Sequence, residues 1–180
     1  LVDLFFEKYE EQNKDKIFLS NLKEPKKNFS WKDVKSIVEQ LASEISKIIQ
    51  TGDRCLLISE NRPEWMISDL SIMLAGGITV PAYTTYVSRD YEYIINDCSP
   101  SIVFVSNDEQ FNKVKSICER TSAIKMIFSF ETLKGIDVNT YFNIGNLIQN
   151  SDNSKNIKIE TKAQRSDTAC IIYTSGTQGN

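Results

Sequence analysis

Residues 54–59, 78–82, 102–105 and 124–128 are almost wholly apolar, and helical spacing fills the gaps between them. A strand with one wet face alternates polar and apolar side chains; these do not alternate, so both their faces must be covered. Residues 64–75, the stretch from Ser88 through Tyr91, Ile94 and Ile95, and residues 108–120 supply the covering helices. Strand and helix in turn predict an α/β fold, a mainly parallel sheet flanked by helices.

The flanking sequence fits the same plan. Residues 1–12 read as a helix with Leu1, Leu4, Phe5 and Tyr9 on one side, and residues 16–20 and 28–31 as a hairpin. Ser30 is placed to cap a long amphipathic helix carrying Val34, Ile37, Val38, Leu41, Ile45, Ile48 and Ile49, closed by Gly52. Asn61 is read as the cap and Pro63 as the first turn of the next helix, which Gly76 and Gly77 end; Ser88 is read as another cap. A further helix is expected within 141–149, an exposed loop at 150–156, and a return to a buried strand at 167–173.

Composition narrows the chemistry. Net charge is −3 with no basic cluster, which argues against nucleic acid as a partner. The chain has no histidine, which removes Ser-His-Asp and Cys-His catalysis from these residues and disfavours a zinc centre. Cys55, Cys98, Cys118 and Cys170 form no C-x-x-C pair and are read as reduced thiols, buried in a cytoplasmic protein. The longest apolar stretch, 72–83, is broken by Gly76, Gly77 and Pro81 and is too short to span a bilayer. Leu1 is not a start methionine and Asn180 follows directly on a glycine-rich bend. The chain is therefore read as an amino-terminal piece of a longer protein.

The chemistry-bearing segment is residues 167–179, D-T-A-C-I-I-Y-T-S-G-T-Q-G. An apolar strand runs straight into Thr174, Ser175, Gly176, Thr177, Gln178 and Gly179. Glycines let the backbone approach a ligand closely, successive N–H groups converge on anionic oxygens, and the hydroxyls add donors. Hydrogen bonds to a charged group contribute roughly 1.5–3 kcal/mol each, so a handful holds a polyphosphate. On composition alone a ligand-free Ser/Thr/Gly turn explains the bend equally well. The G-K-[ST] ending of the P-loop of kinases and GTPases is absent.

Y-T-S-G-T-Q-G-N resembles the phosphate-binding signature of the adenylate-forming superfamily, Y-T-S-G-[ST]-T-G-x-P-K-G. Gln178 stands where that signature usually has threonine. Residues 52–86 resemble the early region of long-chain fatty acyl-CoA synthetases, with G-D-R, then N-R-P-E-W, then A-G-G-I-T-V-P-A-Y. This upstream match is read as scaffold, with Trp65 a core anchor. Arg62 and Arg89 are not assigned to phosphate.

The resemblance implies an ATP-dependent ligase that joins a carboxylic acid, expected to be a long-chain fatty acid, to AMP and then to coenzyme A, with Mg²⁺ neutralising the polyphosphate. It implies that residues 1–180 are the incomplete start of an AMP-binding domain cut at the phosphate loop, and that the carboxy-terminal domain lies outside them. Thr174, Ser175, Thr177 and the backbones of Gly176 and Gly179 would cradle the ATP phosphates, and Gln178 would offer its amide or backbone N–H. The catalytic lysine and the metal-associated glutamate would lie further along, leaving no catalytic residue and no metal ligand among residues 1–180. Peripheral contact of the full-length protein with a membrane stays open. Two further readings are an adenylation domain that loads an amino or aryl acid onto a carrier protein, and a non-catalytic nucleotide-binding module.

Overall fold

The computed structural model describes residues 1–22, 27–150, 159, 164 and 166–174. Five parallel strands, β3 (Arg54–Ile58), β4 (Ile78–Ala82), β5 (Ile102–Val105), β6 (Met126–Ser129) and β7 (Tyr141–Asn143), form one sheet in the order β4-β3-β5-β6-β7. The hairpin β1 (Ile17–Ser20) and β2 (Asn28–Ser30) stands apart as an antiparallel pair. The helices are α1 (Val2–Glu11), α2 (Trp31–Ser46), α3 (Pro63–Leu74), α4 (Ser88–Cys98), α5 (Asp108–Arg120) and α6 (Ile144–Gln149).

Strand period sorts the core into two layers. Cys55, Leu57, Ile102, Phe104 and Phe128 face a cluster built on α2, α3 and α6, joined by α1 and the hairpin. Their neighbours Leu56, Ile58, Val103, Val105 and Ile127 face Tyr91, Ile94 and Ile95 of α4 and Phe111, Val114 and Ile117 of α5. On the first face, Phe104, Phe128 and Phe142 sit opposite one another on adjacent strands, with ring centroids 4.9 Å apart at both steps. Such cross-strand aromatic contacts pin register, because a one-residue slip would send every ring to the other face.

Local chemistry explains most boundaries. Ser30 and Asp33 form a reciprocal capping box at the start of α2. Gly76, at φ 85°, turns the chain out of α3. Gly77 is closely packed: a Cβ there would meet Ile49 Cδ1 at 2.9 Å and Ile72 Cγ2 at 3.0 Å, and both side chains would have to shift to admit it.

Several expectations need correction. α2 stops at Ser46, six residues before Gly52, and Ile48 and Ile49 reach the core from a turn. The cap of α3 is Arg62, not Asn61, and that of α4 is Val87, whose N–H Asp90 accepts at 3.0 Å; Ser88 is already helical. In α1 the buried residues are Val2 and Phe5, while Leu1 and Leu4 are exposed. Phe5 is drawn in by the stack of Phe18 on Trp31, 3.9 Å between centroids, and Val2 shares its face one turn earlier. The segment expected as one helix is divided, Tyr141–Asn143 pairing with β6 before α6 begins. The four cysteines are free; Cys55 and Cys98 are buried, Cys118 is half-buried and Cys170 is exposed, contrary to the expectation of buried thiols throughout. Among the described residues no helix is long and apolar enough to cross a membrane.

The start of α3 carries a buried charge. Glu64 is 1% exposed and accepts two hydrogen bonds from Arg62, at 2.9 and 3.1 Å, with Lys27 Nζ 3.2 Å away. Arg62 also donates to Glu131 at 2.9 Å and lies over the ring of Phe130, so it joins the β3–α3 turn to the segment after β6. Burial alone would raise the Glu64 carboxyl, but the Arg62 guanidinium and Lys27 outweigh it and hold the pKa below the ordinary 4.5. A carboxylate held low in the folded state stabilises the fold above that ordinary value, and the contribution drains away as pH falls through the lowered one. Glu64→Gln should therefore lower unfolding stability by about 3 kcal/mol at pH 7, by stranding Arg62. Urea titrations should show the gap between wild type and variant closing as pH drops below 4.5. A gap that stays constant with pH would contradict this account.

Candidate functional site

The carboxyl edge of an open parallel sheet is where neighbouring strands send their chains to opposite faces and leave a crevice. Here β3 leads into α3 on one face and the adjacent β5 into α5 on the other. A cleft of about 640 Å³ opens at that place, lined by Glu60, Asn61, Arg62, Asn107, Glu109 and Glu131, with Leu19, Leu22 and Met66 at its side.

Arg62 and Asn107 of this cleft already serve the fold. Arg62 is committed to Glu64 and Glu131. Asn107 caps α5 by accepting from the Gln110 N–H at 3.1 Å. Lys113, at the neighbouring edge, donates to the Thr84 carbonyl at 2.6 Å. Three carboxylates and an engaged guanidinium make a poor host for a polyphosphate. Arg62, set aside as a phosphate ligand on sequence grounds, is occupied by carboxylates, and Arg89 is exposed.

The signature segment lies at the opposite flank, against the outer edge of β4. Thr79 pairs in parallel with Cys170: the Thr79 N–H donates to the Ala169 carbonyl at 3.2 Å, and the Ile171 N–H to the Thr79 carbonyl at 3.0 Å. The next β4 donor pointing that way would belong to Pro81, which has no N–H, so the ladder ends after one bridge. The expected buried strand is therefore a short extended segment covered on one side. Ile171 and Tyr173 pack on the α4–α5 layer, whereas Cys170 and Ile172 are exposed.

Because this segment runs parallel to β4, the chain leaves Tyr173 heading toward the carboxyl edge. Thr174 is exposed there. Ser175, Gly176, Thr177, Gln178 and Gly179 lie outside the described residues. Beside the segment, β4 is followed by Tyr83, Thr84, Thr85 and Tyr86; the Tyr83 ring is exposed and meets Tyr86 edge-on, and the Tyr83 carbonyl accepts from the Tyr91 hydroxyl at 2.7 Å. Behind β4, Asp69 of α3 is buried, and burial pushes its carboxyl up.

The tyrosine that ends the segment is held from the side. Its hydroxyl donates to Asp97 Oδ2 and its ring meets Tyr93, both on α4. Burial, with the Asp97 hydrogen bond next, pushes the Tyr173 phenol up. Burial likewise raises the adjacent Cys98 thiol to about 11, so that thiol is no nucleophile at neutral pH. Reading along the chain did not find Asp97 or Tyr93, because the contact joins residues 76 positions apart. Among the described residues no group of three His, Cys, Asp or Glu stands together to hold a metal ion.

Comparison with known proteins gives this arrangement a context. The chain is 27% identical over 135 residues to the long-chain-fatty-acid–CoA ligase FadD15 of Mycobacterium tuberculosis, covering 75% of this chain and 22% of that protein. It is 31% identical over 131 residues to the long-chain-fatty-acid–CoA ligase ACSBG2 of Rattus norvegicus, covering 69% of this chain and 19% of that protein. It thus spans about a fifth of the length of these relatives. Among solved structures, the anthranilate CoA ligase AuaEII in complex with anthranoyl-AMP shares the fold with a TM-score of 0.80 at 21% identity, over 99% of this chain and 32% of that one. The long-chain-fatty-acid-CoA ligase FadD1 of Archaeoglobus fulgidus does so with a TM-score of 0.74 at 20% identity, over 97% and 34%. The family model described as AMP-binding enzyme matches residues 6–180, and the chain belongs to that adenylate-forming family.

Proposed function

We propose that this chain is the part of an acid–thiol ligase that grips the phosphates of ATP while a long-chain fatty acid is activated. The observation that carries the reading is the seating of residues 169–173 beside β4, which brings the chain to the carboxyl edge at Thr174, the residue that the hydroxyl- and glycine-rich sequence directly follows. The fatty-acid substrate is supported by the relatives, which are long-chain-fatty-acid–CoA ligases.

The chemistry explains why such a loop is needed. A carboxylate is a poor electrophile, because resonance and charge repel nucleophiles. Its oxygen attacks the α-phosphorus of ATP, the bond from that phosphorus to the bridging oxygen breaks, and pyrophosphate leaves. The acyl-adenylate then has a good leaving group, and the thiol of coenzyme A takes the acyl chain as AMP departs. Charge accumulates on phosphate oxygens, so positioned donors act where they are worth most. In this reading Thr174, Ser175 and Thr177 donate through hydroxyls, and Gly176 and Gly179 through the backbone. Gln178 adds an amide or its own N–H. Mg²⁺, when bound, neutralises the polyphosphate; residues 1–180 are given no part in holding it. The enzyme is placed in the cytoplasm, a setting in keeping with its free cysteines.

Thr174→Ala combined with Thr177→Ala, in the natural protein that carries this chain, should lower fatty-acid-dependent ATP–pyrophosphate exchange about a hundredfold, two donors to charged oxygens being lost. Unchanged exchange would remove the phosphate role. Residues 1–180 alone, purified and supplied with ATP, Mg²⁺, palmitate and coenzyme A, should form no acyl-CoA. Thioester formation above the protein-free control would show that these residues hold a complete active site.

A further inference from the structure

The segment that feeds the proposed phosphate loop has little backbone support. Beyond the Ile171 N–H, no backbone hydrogen bond ties it to β4 among the described residues, and Pro81 supplies the reason. What holds its far end is a side chain. Tyr173 Oη donates to Asp97 Oδ2 at 2.5 Å, and its ring stands edge-on to Tyr93, centroids 6.1 Å apart and planes at 87°. Tyr93 and Asp97 are four residues apart on α4, so they present one face of that helix to the segment. α4 packs into the core through Tyr91, Ile94, Ile95 and Cys98, whereas Tyr93 and Asp97 are exposed. Neither is needed to hold α4 in place.

We infer that Asp97 and Tyr93 are positioning residues for adenylate formation, acting through Tyr173 to fix where the phosphate loop begins. The inference rests on the reading that this loop grips ATP. Thr174 follows Tyr173 directly, so any play at the tyrosine is passed on to the first donor. A phenol ring has few rotatable bonds and makes a stiff strut. With its hydroxyl on a carboxylate and its edge against a second ring, it restores the definition that a backbone ladder would give. Misplacing a reacting group by about 1 Å can cost on the order of a hundredfold, so a loop start set by one side chain is a sensitive point.

The test uses the natural protein carrying this chain, with MgATP, palmitate and coenzyme A. Tyr173→Phe and Asp97→Ala should each raise the KM for MgATP about tenfold, one charge-assisted hydrogen bond being lost, with the KM for palmitate unchanged. The double variant should be no worse than either single, because both remove the same bond. Asp97→Asn keeps an acceptor oxygen and should stay close to wild type. Melting temperatures should not move, since Asp97 is exposed and Phe keeps the ring. An unchanged KM for MgATP, additive effects, or equal losses for every substrate would each overturn the inference. The Thr174→Ala, Thr177→Ala pair separates the two levels. If that pair suppresses exchange while Tyr173→Phe does not, only the positioning role fails; if the pair is silent, the phosphate reading fails and this inference with it.

Discussion

Every element described here depends on burying β3 and β5 from both sides. Leu56, Leu57 and Ile58 of β3 and all four residues of β5 are buried, so neither face of the sheet can meet water. A parallel sheet cannot close through tight hairpins; each strand must be followed by a crossover, and the crossovers supply the covering helices. That one demand sets the order of the chain, the two layers of core, and the switch between β3 and β5 from which the carboxyl edge takes its shape.

The edge has two regions of different character. At the switch point the cleft is acidic and its guanidinium is bound to Glu64 and Glu131. There the charges brace one loop against another. At the β4 flank a single bridge and a tyrosine hold a segment that leads into glycines and hydroxyls. Under the proposed phosphate reading, the loop needs a firm starting point, and the strut at Tyr173 supplies it where Pro81 ends the ladder.

The sheet was legible in the sequence because its strands are apolar throughout, a pattern that only two-sided burial explains. Their positions were read to within a residue or two; β6 begins at Met126 where 124 was expected. β7 was missed because three residues, Tyr141, Phe142 and Asn143, are too few to show a period; their pairing with β6, with Phe142 opposite Phe128, marks them as strand. The wrong face of α1 has a similar cause. Leu4 is as apolar as Val2, and the choice between them is made by Trp31 and Phe18, which the helix does not contain. For the site, the hydroxyl- and glycine-rich sequence after an apolar run was visible, but the buried strand expected there is a one-bridge extended segment, and Pro81 could have warned that the ladder beside β4 would be broken. The Asp97–Tyr173 bond could not be read at all. Nothing local distinguishes Asp97 from any exposed helical acid until the fold brings α4 beside the segment.

The central claim is that the bend after Tyr173 holds the phosphates of ATP. A crystal structure of the natural protein with Mg²⁺ and a non-hydrolysable ATP analogue tests it most directly. The account predicts phosphate oxygens within hydrogen-bonding distance of the Thr174 and Thr177 hydroxyls and of the backbone N–H groups between them. Nucleotide bound elsewhere, with that bend free of phosphate, would contradict it.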